Sequence, residues 1–157
     1  MPKELLFDIS TIDPDQPEEG LEGIRRFNPQ RYDMEQLHAI LRYLPEESIA
    51  VGLRDIGADE FWVEGHIPGR PLFPGVLMIE CAAQLCTYYY KRLTEDPRFL
   101  GFGGVDAVKF RGTVAPGDRL IMVAKNTELR RRRAVFSTEG FVDGRMVYEG
   151  IITGMPV

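Results

Sequence analysis

Two adjoining segments decide the fold: residues 65–75 read GHIPGRPLFPG, and residues 76–93 read VLMIECAAQLCTYYYKRL. Three prolines and three glycines in the first segment exclude regular secondary structure and indicate a rigid loop. The second segment contains no helix breaker and is apolar around almost its whole circumference, which is typical of a buried helix. At 1.5 Å per residue it would span about 27 Å, close to the diameter of a small domain. The sequence therefore predicts one long buried helix that follows a stiff loop.

Apolar and polar residues alternate through most of the chain after this helix, as they do in antiparallel strands. Turns separate the alternating segments, one at residues 115–118 and one at the Asp143-Gly144 pair, which two-residue hairpins prefer. The strands predicted after the helix are residues 105–110, 120–126, 133–141 and 145–153, and those predicted before the loop are residues 49–56 and 60–64. We therefore expect an α+β fold in which a curved antiparallel sheet wraps around the long buried helix.

The chain before residue 49 has a mixed pattern. Residues 5–9 are apolar enough for a short strand, and residues 13–23 carry prolines and glycines among acidic residues, which indicates an exposed loop. Apolar residues then recur at helical spacing between Asp33, which can cap a helix, and Pro45, which can end one. These apolar residues are Met34, Leu37, Leu41 and Leu44. The pattern predicts a helix over 33–44, and thus a loop-plus-helix insertion at about 13–48 of a single domain over 1–157.

Length, charge and cysteine spacing exclude several classes of protein. A chain of 157 residues suits one domain, and a net charge of −5 disfavours a nucleic-acid partner, since such binding depends on basic surface. Cys81 and Cys86 match neither a disulfide framework nor a zinc site, which favours buried free thiols. No stretch approaches the roughly 18–20 apolar residues that cross a bilayer, and the N-terminus lacks the features of a signal peptide. We expect a cytoplasmic protein without a metal or cofactor.

Three groups around the loop and the helix could act together in catalysis. His66 is held by the stiff loop and could serve as a general base near neutral pH. Glu80 lies on the buried helix, where apolar surroundings favour a protonated carboxyl group that can act as a general acid. Gly75 stands at the helix start, where unpaired backbone N–H groups can stabilise an oxyanion. These groups suit the removal of a proton beside a thioester carbonyl while a β-hydroxyl leaves as water, although each residue also has a purely structural interpretation.

Residues 65–84 resemble the signature of FabZ-type 3-hydroxyacyl-acyl carrier protein dehydratases from bacterial fatty-acid synthesis. They read GHIPGRPLFPGVLMIECAAQ, whereas the signature runs G-H-F-P-G-x-P-x-x-P-G-V-L-x-x-E-A-x-A-Q. The histidine and the glutamate are fourteen residues apart, as in that family. The resemblance continues through residues 104–111 (GVDAVKFR) and 114–118 (VAPGD), and covers roughly residues 49–153.

This resemblance implies a hotdog fold whose active site lies at a homodimer interface beside an acyl tunnel, with a trimer of dimers as a further assembly. It implies that His66 of one protomer faces Glu80 of the other and that the N–H of Gly75 polarises the thioester carbonyl. Glutamate at position 80, where isomerising dehydratases carry aspartate, favours simple dehydration to a trans-2-enoyl thioester in fatty-acid or related lipid synthesis. The residues implied in substrate binding are Phe73, Pro74, Val76 and Gln84. Gln84 could orient Glu80 or could serve packing alone.

The N-terminal part of the chain departs from the family. The family places a short helix before its first strand, whereas residues 5–8 (LLFD) here resemble that first strand directly. The helix predicted over 33–44 ends in Leu-Pro, as the family's N-terminal helix does, and we expect it to fill the same space from a different place in the chain. Ile67 replaces the usual phenylalanine. These departures leave the acyl chain length and the pathway open.

An acyl carrier protein is acidic, so its docking surface should be basic. Lys109, Arg111 and Arg70 are candidates, as is the arginine run at 130–133, although alternation along a strand would point half of that run elsewhere and a run of charges is more typical of a solvated surface. Two other functions remain open at this point. A hotdog acyl-thioester hydrolase would need an activated water, for which His66 and Glu80 are not the usual pair. A non-catalytic acyl-binding subunit would have no need of a buried ionisable group.

Overall fold

A computed structural model describes residues 3–157 of the chain. Its helices are α1 (Leu21–Arg25) and α2 (Gly75–Thr94), and its strands are β1 (Ala39–Leu44), β2 (Ile49–Asp55), β3 (Leu100–Phe110), β4 (Arg119–Arg130), β5 (Arg133–Val142) and β6 (Arg145–Pro156). The strands form one antiparallel sheet in the order β1-β2-β4-β5-β6-β3. Helix α2 packs on one face of this curved sheet and contacts strands β2 to β6. The predicted α+β fold class is therefore confirmed.

The part of the chain after residue 75 folds as its pattern predicts. Helix α2 is buried along most of its length, and the four predicted C-terminal strands are present with longer bounds. Asp143 and Gly144 join β5 to β6 with φ angles of 50° and 76°, as a type I′ hairpin turn requires. Cys81 and Cys86 are free and buried, and burial raises the pKa of the Cys81 thiol to about 12. Both thiols therefore belong to the core.

The helix predicted over 33–44 is wrong. This segment forms a short 3₁₀ turn, Tyr32–Met34, and then strand β1, which pairs with β2. A β-bulge between Ile40 and Arg42 shifts the strand register, so apolar residues on the two sides of the bulge fall out of strict alternation. That irregular spacing resembles helical spacing in the sequence. The segment therefore supplies an edge strand of the sheet, and the idea that it replaces an N-terminal helix is also wrong.

The strand predicted over residues 5–9 is absent. The segment ends in a 3₁₀ turn, Ile9–Thr11, and its apolar side chains cover the face of the sheet opposite α2. There they form a second, smaller core with residues of β1, β2 and β4. The backbone N–H of Leu6 donates to the fully buried carboxylate of Glu139 at 2.9 Å, and Lys3 lies 3.5 Å from the same carboxylate. The apolar pattern thus marks a covering segment rather than a strand.

The strand predicted over residues 60–64 is also absent, because a buried arginine folds this segment back. Arg54 on β2 is 1% exposed, and its guanidinium donates to both carboxylate oxygens of Glu60. Glu60 accepts in addition from the indole N–H of Trp62 at 3.0 Å. The guanidinium also lies 4.8 Å above the ring of Phe73, which packs edge-to-face on Trp62. Arg54 therefore fastens both ends of the loop that carries His66.

We expect the Arg54–Glu60 pair to make stability depend on pH in acid solution. Although burial opposes ionisation, hydrogen bonds from Arg54, Gly57 and Trp62 lower the pKa of Glu60 from 4.5 to about 2. A carboxyl group whose pKa is lowered by folding stabilises the protein above its unfolded pKa and loses that contribution as the pH falls towards the folded pKa. The Glu60→Gln variant should therefore be about 2 kcal/mol less stable than wild type at pH 7. This gap should close between pH 5 and pH 2, as urea unfolding across this range would show.

The matched control is Glu64→Gln, because Glu64 lies in the same loop but is exposed. Its unfolding free energy should follow that of wild type at every pH. A gap between wild type and Glu60→Gln that stays constant down to pH 2 would contradict the proposed role of the ionised pair.

Candidate active site

His66 lies in the loop between β2 and α2, and two hydrogen bonds hold it there. Its backbone N–H donates to the carbonyl of Trp62 at 2.9 Å, and its ring Nδ1 lies 2.7 Å from the carbonyl oxygen of Leu72. Because a carbonyl oxygen can only accept, Nδ1 carries a proton, and in the neutral ring the lone pair is on Nε2. The ring is exposed in the single chain. The geometry thus leaves Nε2 available as a proton acceptor.

Helix α2 begins at Gly75, directly after this loop. Pro74 is the N-cap residue and makes no side-chain hydrogen bond to the first turn. The first N–H groups of a helix lack partners within it and carry partial positive charge. Gly75 also has a packing role, since a Cβ atom here would lie 2.8 Å from Cζ of Phe110. The start of α2 can therefore donate hydrogen bonds to a carbonyl oxygen, next to an aromatic ring.

Glu80 lies one turn further along α2 and is held by Gln84, which is only 2% exposed. The Nε2 of Gln84 donates to Oε1 of Glu80 at 2.9 Å and to the carbonyl of Met34 at 2.7 Å. The Oε1 of Gln84 accepts from the backbone N–H groups of Gln36 at 2.9 Å and Leu37 at 3.2 Å. Because both ends of the amide are engaged, it cannot rotate without losing several hydrogen bonds. Gln84 therefore orients Glu80 and also holds residues 34–37 against α2.

A cleft of about 80 Å³ opens beside Glu80, between α2 and the adjoining ends of β3 and β6. Buried side chains form its inner wall, and polar groups occur at several points along it. The residues of α2 that line it are Glu80, Ala83, Gln84, Cys86 and Thr87. The lining residues on or next to β3 and β6 are Phe99, Leu100, Gly101, Phe102, Ile152, Thr153 and Gly154. Gln30 also lines the cleft. A concave surface that combines apolar walls with a few polar groups is typical of a small-molecule site.

The structure does not bring His66 and Glu80 together within one chain. No hydrogen bond joins them in the part of the chain that the structure describes, and the cleft is lined by Glu80 but not by His66. Each side chain is nevertheless held by its own hydrogen bonds, to Leu72 and Gln84 respectively. Within one chain, the two side chains therefore do not form a catalytic pair.

The four residues predicted to bind substrate differ in whether they line the cleft. Gln84 lines the cleft, whereas Phe73 is buried beneath Arg54 and belongs to the core. Pro74 is buried at the start of α2, and Val76 is 70% exposed on its first turn. In the single chain, the cleft therefore contains only one of the four.

The three basic residues predicted to dock a partner also differ from one another. Arg111 donates to Glu149 at 2.6 Å, so a neighbouring carboxylate partly offsets its charge. Lys109 and Arg70 are exposed, and neither forms an ion pair within residues 3–157. Lys109 and Arg70 therefore present the more available charges.

Sequence reasoning missed two buried polar residues that support the site. Arg54 donates to Oε1 of Gln36, and the backbone of Gln36 donates to Gln84, which holds Glu80. The signal for Arg54 was present, because it is the one basic residue inside the strand predicted over 49–56. A lone basic residue on a buried strand indicates a buried partner. Gln36 offered no such signal, since it lay in a segment predicted as helix.

We expect Gln84→Met, a change of similar length, to lower the free energy of unfolding by about 3 kcal/mol. The thioether is at best a weak acceptor, so the buried N–H groups of Gln36 and Leu37 lose a strong partner. Those two amides should also exchange with solvent deuterium faster than in wild type. Gln16→Met is the control, because Gln16 is exposed. Unchanged exchange at both amides in Gln84→Met would show that Gln84 does not hold this segment.

Comparison with known proteins agrees with this architecture. The dehydratase heterocomplex ApeI:P from Xenorhabdus doucetiae superposes with a TM-score of 0.72 at 14% identity, over 85% of this chain and 90% of that chain. The phenylacetic acid degradation protein PaaI from Thermus thermophilus superposes with a TM-score of 0.59 at 17% identity, over 75% and 91% of the two chains. A thioesterase superfamily member from the same organism has a TM-score of 0.60 at 15% identity, over 69% and 80%.

At such identities these likenesses show the fold alone, which is the hotdog fold that the sequence predicts. The likeness in sequence is more specific, because the FabA-like domain family matches residues 28–151. This range includes His66, Gly75, Glu80 and Gln84 and the whole of strand β1. The chain therefore belongs to the FabA-like domain family.

Proposed function

We propose that this protein removes water from (3R)-hydroxyacyl thioesters carried on acyl carrier protein and releases trans-2-enoyl thioesters. The observation that carries the proposal is the hydrogen bond from Nδ1 of His66 to the carbonyl of Leu72, which leaves Nε2 as a base. An oriented carboxyl group and a free helix start accompany it, at Glu80 and Gly75. Membership of the FabA-like family supports the same chemistry. The role in fatty-acid or related lipid synthesis and the cytoplasmic location stay predictions.

The proposed reaction assigns one step to each group. Nε2 of His66 removes the proton from C2, and the electrons of that C–H bond form the C2–C3 double bond. The N–H of Gly75 stabilises the negative charge that develops on the thioester oxygen. Gln84 engages Oε1 of Glu80, so a proton on Oε2 can pass to the 3-hydroxyl as it leaves as water. The proton on His66 returns to Glu80 after the products leave.

We propose that a second copy of the chain completes this site. Strand β3 is an edge strand of the sheet, and three large apolar side chains on it are about half or one third exposed. These are Phe102, Val105 and Phe110. An exposed, apolar edge strand is a natural surface for pairing with another chain. Pairing through β3 would cover these side chains and allow His66 of one protomer to face Glu80 of its partner.

Mixed dimers test the residue roles and the assembly together. We expect His66→Ala and Glu80→Gln each to lower kcat about a thousandfold, because each removes one proton-transfer group. A one-to-one mixture, unfolded and refolded together, should regain about a quarter of the wild-type activity. Half of the dimers would then be mixed, and each would contain one intact site. The assay follows the enoyl product and free thiol from a 3-hydroxyacyl-carrier protein.

Several outcomes would contradict the proposal. If the mixture regains no activity, the two residues do not pair between chains. If His66→Ala forms enoyl product as fast as wild type, the proposed base is wrong. Release of free thiol in place of enoyl product by wild type would identify a thioester hydrolase.

We also expect Lys109 and Arg70 to form part of the carrier-protein surface, since they are exposed and unpaired among the described residues. Reversing both charges to glutamate should raise KM for the carrier-bound substrate roughly tenfold and spare a pantetheine thioester. The Arg111→Glu variant should have a smaller effect, because Glu149 already pairs with Arg111. Lys125→Glu is the control on a different strand. Equal losses on both substrates would exclude a docking role.

A further inference from the structure

The buried guanidinium of Arg54 fixes the loop of His66 at both of its ends. It holds Glu60, which accepts from the indole of Trp62, and it lies 4.8 Å from the ring of Phe73. The two hydrogen bonds of His66 go to these same ends of the loop. One goes to the carbonyl of Trp62 at 2.9 Å, and the other to the carbonyl of the residue before Phe73 at 2.7 Å. The position of the imidazole therefore depends on Arg54.

The same guanidinium is connected to Glu80 by three successive hydrogen bonds. It donates to Oε1 of Gln36 at 2.8 Å, and the backbone N–H of Gln36 donates to Oε1 of Gln84 at 2.9 Å. Gln84 in turn donates to Oε1 of Glu80 at 2.9 Å. Arg54, Gln36 and Gln84 are each at most 2% exposed, so solvent cannot replace a contact that is lost here. A displaced guanidinium would therefore change the orientation of Glu80.

In the proposed dimer, these two connections lead to different active sites. His66 of one protomer faces Glu80 of its partner, so each chain provides the base of one site and the acid of the other. The hydrogen bonds around Arg54 in each chain therefore reach from one active site to the second. A contiguous network of buried polar contacts between rigid elements can carry energetic coupling between two sites.

We infer that Arg54 is a positioning residue that couples the two active sites of the dimer. The inference rests on the proposed function, because only that arrangement places the two ends of the network in separate sites. When Glu60 no longer offers a carboxylate, the buried charge loses its anionic partner and shifts towards its remaining acceptors, one of which is Gln36. The acid of the second site then loses its orientation, although no residue of that site has changed.

A dimer with a single working site tests the coupling. One protomer carries His66→Ala and the other carries Glu80→Gln, each with its own affinity tag, so the working site combines His66 of the second with Glu80 of the first. Glu60→Gln is then added to the first protomer, where it lies in the loop of the inactive site. The kcat of the working site should fall about tenfold with little change in KM, because an oriented acid acts mainly in the transition state.

Two further variants of the first protomer separate coupling from a loss of folding. Glu64→Gln is the matched control, since Glu64 is exposed in the same loop, and it should leave kcat unchanged. Gln36→Met interrupts the connection to Glu80, so adding Glu60→Gln to it should cause no further loss. Gel filtration and circular dichroism identify the intact mixed dimers to which kcat refers. If Glu60→Gln prevents folding, Trp62→Phe replaces it, because it removes one donor to the same carboxylate and should lower kcat in the same direction.

The outcomes distinguish the inference from the proposed function. An active mixed dimer whose kcat is unchanged by Glu60→Gln in the first protomer would overturn the coupling and leave the function intact. Additive losses from Gln36→Met and Glu60→Gln would also overturn it, because they would show that the two residues act independently. A mixed dimer that is inactive before Glu60→Gln is added would overturn the pairing of His66 with Glu80 between chains, and the inference with it.

Discussion

The buried guanidinium of Arg54 is the group on which both halves of the candidate site depend. Its N–H groups donate to Glu60, to the carbonyl of Asp55 and to Gln36, so the charge is fully paired inside the core. On one side, Glu60 and the ring of Phe73 connect it to the loop that carries His66. On the other side, Gln36 connects it through Gln84 to Glu80. Removing one partner of a buried charge lowers the free energy of unfolding by several kcal/mol. The contacts on the two sides of Arg54 therefore depend on one another.

How much of the fold could be predicted depended on how local the signal was. Helix α2 and the strands after it follow from periodicity and turn residues, because each pattern is contained within its own segment. Strand β1 could not be predicted in this way, since a bulge disrupts its alternation and only the pairing with β2 determines its conformation. The apolar residues at 5–9 mark burial correctly, but burial against a sheet face does not require a strand.

Within the candidate site too, the residues with a local signal were predicted and those that depend on distant contacts were not. His66, Gly75 and Glu80 were predicted because a continuous signature contains them. The residues that hold them come from distant parts of the sequence: Gln84 bonds to the backbone 47 and 48 residues before it. Contacts between such distant residues produce no periodic pattern in the sequence. A lone arginine in an apolar strand, such as Arg54, nevertheless indicates a buried polar partner. Phe73 shows the converse, because it lies in the signature yet serves the core.

The segment from Asn28 to Leu37 connects these observations. It provides the backbone groups that fix Gln84, and its residue Gln30 lines the cleft. The orientation of Glu80 and one wall of the cleft therefore depend on one stretch of backbone. If Gln30 were replaced by an apolar residue, the segment would keep its hydrogen bonds through Asn28 and Arg31. This wall of the cleft can thus change without disturbing Glu80, because the hydrogen bonds that fasten the segment do not involve the side chain of Gln30.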